Sequence, residues 1–185
     1  MRWDGLFADL EAQAGALDTA QRAAEIEERA RTELGRIRLQ DRLRPATGSA
    51  VRARCRGGLA VAGTVTRVGA EWLLLDEGGN REALVVTATL VSVSGLGRLS
   101  AAPDTEGVVE SRLGLRHALR GIARDRSAAA VHLIDGTTAD GTIDRIGADF
   151  VEIAAHAAGE LRRRSEVRDV LVVPLSAVAA VRGQA

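Results

Sequence analysis

Residues 63–73 read GTVTRVGAEWL, and residues 141–151 read GTIDRIGADFV. Five of the eleven positions are identical, and most of the others exchange residues of similar character, such as tryptophan for phenylalanine. An internal repeat of this kind predicts that the chain builds the same structural unit twice.

Short segments with apolar residues at every second position surround both copies of the repeat, which is typical of half-buried strands. Short stretches with turn-forming residues, mainly glycine and aspartate, separate these segments and predict turns. The predicted strands lie near 51–56, 60–67, 71–76, 82–87 and 89–94 in the first unit, and near 129–135, 137–145, 149–154, 169–173 and 175–181 in the second. The loop around 155–168 makes the second unit about ten residues longer between its third and fourth strands.

Helical patterns precede each group of strands. Residues 1–44 contain a stripe at i, i+3, i+4 and i+7 that predicts a short amphipathic helix, ended by Gly15, and a second helix follows from about 18 to 43. The stripe consists of Trp3, Leu6, Phe7 and Leu10. A further helix is predicted over about 108–125, where Leu115, Leu119 and Ile122 form the buried stripe.

The glycine and apolar positions of both units form a recognisable pattern. Residues 131–136 (VHLIDG) and 141–151 carry it in the second unit, and Gly58, Gly63 and Trp72 carry it with Val65 and Val68 in the first. A weaker second motif lies at 84–86 and 171–175. This pattern resembles the first and second motifs of the Sm-like superfamily of small β-barrels, whose order is one helix followed by five strands.

The resemblance and the repeat together predict an α+β chain of two tandem five-stranded Sm-like or SH3-like barrels. Each barrel is preceded by a helix, and an N-terminal helical region comes first. The predicted boundaries are 1–44 for the helical region, 45–98 for the first barrel, 99–107 for a linker and 108–185 for the second helix and barrel.

Two departures from the Sm-like pattern concern RNA binding. RNA-binding members carry a polar residue such as asparagine where this chain has Leu73 and Val151. The chain also has no tyrosine and no lysine, so a tyrosine–lysine–histidine signature near the last strands is missing. The resemblance therefore does not imply the base-binding pocket of the family.

The composition excludes several kinds of chemistry. All 25 basic residues are arginine, which removes lysine nucleophiles and P-loop phosphate binding. The three histidines and Cys55 lack metal-ligand spacing, and no nucleophile motif is present. We therefore expect a non-enzymatic protein without a metal or a small-molecule cofactor. One cysteine and the lack of a long apolar segment predict a cytoplasmic protein that does not bind membranes.

Two rows of arginine are candidates for nucleic-acid binding. Alternation along a strand places Arg52, Arg54 and Arg56 on the face away from the core. Spacing of four residues places Arg112, Arg116, Arg120 and Arg124 along one helix. Such rows contact phosphates without choosing a base sequence. The alternative, favoured by the net charge of zero, is that they pair with acidic segments of the same chain or of another subunit.

The stripe of Trp3, Leu6, Phe7 and Leu10 either folds back on the rest of the chain or docks on a partner, since aromatic side chains are strong interface anchors. Our leading hypothesis is a non-catalytic binding or adaptor protein that holds a protein partner or another copy of itself. It would use the N-terminal helix and the exposed barrel surfaces. RNA binding through the arginine rows is the alternative.

Overall fold

Ten β-strands form most of the fold. The computed structural model describes residues 2–102, 114–155 and 169–183. The strands are β1 (Ala50–Cys55), β2 (Ala60–Val68), β3 (Trp72–Gly78), β4 (Arg81–Val86), β5 (Leu90–Ser94), β6 (Ala128–Leu133), β7 (Thr138–Ile146), β8 (Phe150–Ala155), β9 (Asp169–Pro174) and β10 (Val178–Gly183). They lie close to the predicted ranges in both units.

The ten strands form one continuous antiparallel sheet in the order β5-β1-β2-β3-β4-β10-β6-β7-β8-β9. The prediction of two closed five-stranded barrels is therefore wrong. Closure of the first unit would require β4 to pair with β5, but β4 pairs with β10 of the second half instead. Among the described strands, β5 pairs only with β1, and β9 pairs only with β8.

The joint between the halves, which is the pairing of β4 with β10, explains why they share one sheet. Ala83 and Val85 of β4 belong to one hydrophobic core, and Leu84 and Val86 belong to a second core built mainly by the other half. Strand β10 is shared in the same way, because Ala180 lies in the first core and Val181 in the second. A strand that is buried on both faces reads as a continuous apolar run, as residues 83–86 and 178–181 do.

The repeated segments build matching local structures, as the sequence predicts. The indole of Trp72 lies against Gly69, and the ring of Phe150 lies against Gly147, so a Cβ at either glycine would overlap the ring. The backbone N–H of Gly69 donates to the carbonyl oxygen of Trp72 at 2.8 Å, and the equivalent bond in the second half is 2.9 Å. Both halves also arrange their strands alike, as β5-β1-β2-β3-β4 and β10-β6-β7-β8-β9.

The described structure also contains four short 3₁₀ helices and three α-helices, which are α1 (Arg2–Leu34), α2 (Leu39–Leu43) and α3 (Leu115–Asp125). The predicted break at Gly15 is wrong, since α1 continues through it. A glycine inside a helix costs only about 1 kcal/mol, which the neighbouring good helix formers offset. The predicted start of α3 near residue 108 lies outside the described residues.

The chain divides into two compact units, Met1–Arg38 and Leu39–Ala185. All ten strands therefore lie in the second unit, and α1 lies in the first. Salt bridges between neighbouring turns, such as Asp18–Arg22 at 2.6 Å, run along α1.

Candidate interaction surfaces

The arginines of β1 lie where strand alternation predicts. Val51, Ala53 and Cys55 are buried, and Arg52 and Arg54 between them are exposed. Arg56, in the turn after β1, is also exposed. The three guanidinium groups therefore face away from the core.

The arginines of α3 also lie on the exposed side of their helix. Leu115 and Leu119 are buried against the sheet, whereas Arg116, Arg120 and Arg124 are exposed. The first turn is fixed by Glu71, whose carboxylate accepts a hydrogen bond of 2.9 Å from the backbone N–H of Leu115. Arg112 lies outside the described residues.

The described structure gives these arginines no close ion pairs. Within residues 2–102, 114–155 and 169–183, none of the six placed arginines forms a salt bridge within 4.0 Å. Pairing with the acidic segments of the same chain, which the net charge favours, is thus not seen in this part of the chain.

The two rows do not meet in a described contact. Helix α3 packs mainly against β7, whereas β1 lies between β5 and β2. The structure does bring Arg124 and Arg67 to one cleft of about 570 Å³ between α3 and the sheet. Trp72, Leu84 and Val181 contribute apolar surface to this cleft. Sequence reasoning missed the cleft because its walls come from both halves.

The N-terminal stripe is exposed where its side chains are described. Trp3 is 69% exposed and Phe7 is 58% exposed. The side chains of Leu6 and Leu10 lie outside the described residues. Further along α1, large apolar side chains are also exposed, namely Leu17, Ile26 and Leu34.

The outer strands of the sheet expose apolar residues that sequence reasoning did not single out. In β9, Val170 is 48% exposed, Leu171 is 40% exposed and Val172 is 59% exposed. In β5, Val91 is 65% exposed. The available signal was the run of four apolar residues at 170–173, which departs from the alternation of a half-buried strand.

Burial shifts the pKa values of two titratable side chains, Cys55 and His132. Burial raises the pKa of the Cys55 thiol, which disfavours the reactive thiolate. Burial, and then the positive charge of Arg182, lower the pKa of His132. Arg182 itself pairs with Glu77 at 2.8 Å across the joint.

Metal-ligand clusters and membrane-spanning helices are both absent from residues 2–102, 114–155 and 169–183. No group of three or more His, Cys, Asp or Glu in the described ranges is arranged to hold a metal ion. None of the described helices is long and apolar enough to cross a membrane.

Comparison with known proteins gives no family. No protein-family model matches the chain, and no curated protein is significantly similar to it. The Sm-like resemblance therefore stays a prediction.

Proposed function

We propose that this protein is a non-catalytic adaptor that holds another polypeptide chain through the edges of its sheet and through α1. The exposed apolar residues of β9 carry this proposal. A strand at the edge of a sheet offers unpaired backbone N–H and C=O groups, and native edges are usually protected by charged side chains or proline. Strand β9 has Asp169 and Pro174 at its two ends, but the four residues between them are all apolar, and residues 90–94 of β5 contain neither a charged residue nor proline.

Helix α1 supports the same function. It is 33 residues long, and the residues described along it are exposed. Isolated helices in water are only marginally stable, and most helices in proteins are stabilised by packing one face. Trp3 and Phe7 supply the large aromatic anchors that dominate binding energy in many interfaces.

The non-catalytic part of the proposal rests on the chemistry of the available side chains. The single cysteine is buried, and the raised pKa of its thiol is the opposite of what a nucleophile needs. A lone reduced cysteine fits a reducing compartment, so the proposal places the protein in the cytoplasm.

Site-specific photo-crosslinking in cells tests this function. We expect a photoreactive amino acid at Val172 to give covalent adducts with polypeptides, because the edge of β9 would lie against a bound chain. The matched control is position 99, since Leu99 is equally apolar and 74% exposed but lies outside the strands. Adducts at neither position, or at both equally, would contradict the proposal.

RNA binding is the second candidate, because the exposed arginines of β1 lack salt bridges in the described ranges. Three exposed guanidinium groups on adjacent exposed positions could follow a phosphate backbone, and such binding weakens steeply with salt.

Fluorescence anisotropy with a mixed-sequence single-stranded RNA tests this candidate. If the row binds RNA, affinity for the Arg52→Gln/Arg54→Gln/Arg56→Gln variant should fall at least tenfold, and the salt dependence should become shallower. The control changes three exposed arginines of α1, Arg22, Arg29 and Arg31, to glutamine. If wild type and both variants bind the RNA with equal affinity, the hypothesis of RNA binding through this row is wrong.

A further inference from the structure

Strands β4 and β10 pair in the interior of the sheet, and each has a counterpart in the repeat that lies at one end of the ten described strands. In the internal repeat, β4 corresponds to β9, because each pairs with the third strand of its half. Trp72 lies opposite Val86 in the first half, and Phe150 lies opposite Pro174 in the second. Likewise β5 corresponds to β10, because each pairs with the first strand of its half. The pairing of β4 with β10 joins the halves, and β9 and β5 are the ends of the sheet.

We infer that β9 of one copy pairs antiparallel with β5 of a second copy and reproduces the internal pairing of β4 with β10. This inference rests on the proposed function and names its partner, a second copy of this chain. In the internal pairing, Ala180 lies opposite Val85, Val181 opposite Leu84 and Arg182 opposite Ala83. An offset of 88 residues transfers the register to the edges. It places Ser92 opposite Val173, Val93 opposite Val172, and Ser94 opposite Leu171.

Burial of the corresponding residues supports this pairing. Ala83 and Leu84 of β4 are 0% and 4% exposed, whereas their counterparts Leu171 and Val172 are 40% and 59% exposed. Ala179 of β10 is 0% exposed, and its counterpart Val91 is 65% exposed. The edges thus expose apolar side chains at positions that are buried where the joint is complete.

The two edges are different surfaces, so the contact is head to tail. Each copy offers one β9 and one β5, and a contact of this type repeats until a ring closes or a filament grows. The joint inside the chain also contains an ion pair, Arg182 with Glu77, that the edges lack, because the corresponding residues are Ser94 and Ala155. The contact between copies is therefore more apolar than the internal joint.

Single-cysteine variants test the pairing and its register. In a Cys55→Ala background, Val93→Cys and Val172→Cys are made separately. Position 93 of one copy should lie opposite position 172 of the next. Neither variant alone should therefore form a disulfide under mild oxidation, but a mixture of the two should form a covalent dimer. The register control mixes Val93→Cys with Asp169→Cys, which lies three residues further along β9 and should give much less dimer.

Light scattering on the full chain gives the second readout. Wild type should have a molar mass of at least twice the 19.5 kDa of one chain, and Val172→Lys should return to the mass of one chain. Leu99→Lys, the same kind of change at an exposed position outside the strands, should leave the assembly intact. Circular dichroism should show that both variants remain folded.

The outcomes separate the inference from the proposed function. A disulfide between two copies of Val172→Cys would show that like edges pair, which overturns the head-to-tail contact. A wild-type mass of one chain without a mixed disulfide would also overturn it. If Val172 then still formed photo-adducts with a different protein, the adaptor function would survive with another partner.

Discussion

Gly141→Ala is expected to lower the free energy of unfolding by about 3 kcal/mol, because overpacking between paired strands forces the backbone to move. A Cβ at position 141 would overlap the carbonyl oxygen of Ala154 on the neighbouring strand. Gly63 occupies the same place in the first half, where its Cβ would overlap the carbonyl oxygen of Asp76. Urea unfolding followed by circular dichroism measures the effect, and Gly63→Ala should behave alike.

Gly121 provides the matched control for this prediction. It lies inside α3, and a Cβ there would meet no atom within 4 Å. Gly121→Ala should therefore raise the free energy of unfolding by about 0.5–1 kcal/mol through helix propensity. An unfolding midpoint of Gly141→Ala equal to that of wild type would contradict the close approach of β7 and β8.

The strands could be predicted from the sequence because their signal is local. In β1, apolar residues alternate with arginine, so the strand, its buried face and its exposed face follow from the same six residues. The repeat predicted correctly that the two segments build matching structures, and the structure adds that Trp72 and Phe150 each lie against a glycine there. The long helix was harder, because a single glycine is a weak stop signal inside a segment rich in alanine, leucine and glutamate.

The pairing of the two halves could not be predicted in the same way. Strand β4 and strand β10 are about a hundred residues apart in the chain, and periodicity within each says nothing about which strand lies beside it. The sequence did contain a trace of the answer, since residues 83–86 and 178–181 are too uniformly apolar for a strand with one exposed face. A similar apolar run at 170–173 marks the edge strand that we assign to pairing with a second copy.

For the candidate sites, too, local features could be predicted from the sequence, whereas features that depend on distant residues could not. The outward direction of Arg52 and Arg54 followed from alternation, and the structure confirms it. The lack of salt bridges to these residues in the described ranges depends on where distant acidic residues fold, which net charge cannot predict. The cleft beside Trp72 likewise forms only when α3 reaches the first half.

Arg182→Leu is expected to destabilise the joint between the halves by about 3 kcal/mol, because removing one partner of a largely buried ion pair leaves the other charge unpaired. Arg182 donates to both carboxylate oxygens of Glu77, at 2.8 and 2.9 Å. The side chains are 29% and 15% exposed, so solvent screens the pair only in part. The loss should appear as a lower urea midpoint with cooperative unfolding retained.

The double variant Glu77→Leu/Arg182→Leu shows whether the loss comes from the unpaired charge. Because an apolar pair has no charge to desolvate, the free energy of unfolding of the double variant should return close to that of wild type. If the losses of stability in Glu77→Leu and in Arg182→Leu simply add in the double variant, the two residues do not act as a coupled pair. His132 gives an independent readout, since the positive charge of Arg182 is one cause of its lowered pKa. In Arg182→Leu, NMR titration should find the pKa of His132 raised towards its ordinary value.

The pH dependence of stability follows from the same histidine. Its pKa is lower in the folded chain than in the unfolded one, so folding favours the neutral ring. The stability that His132 contributes is therefore fully present above the unfolded-state pKa, and it is lost as the pH falls from that value towards the folded-state pKa. Wild type should lose stability in this window on acidification. In Arg182→Leu the His132 part of that loss should shrink, because the gap between the two pKa values narrows.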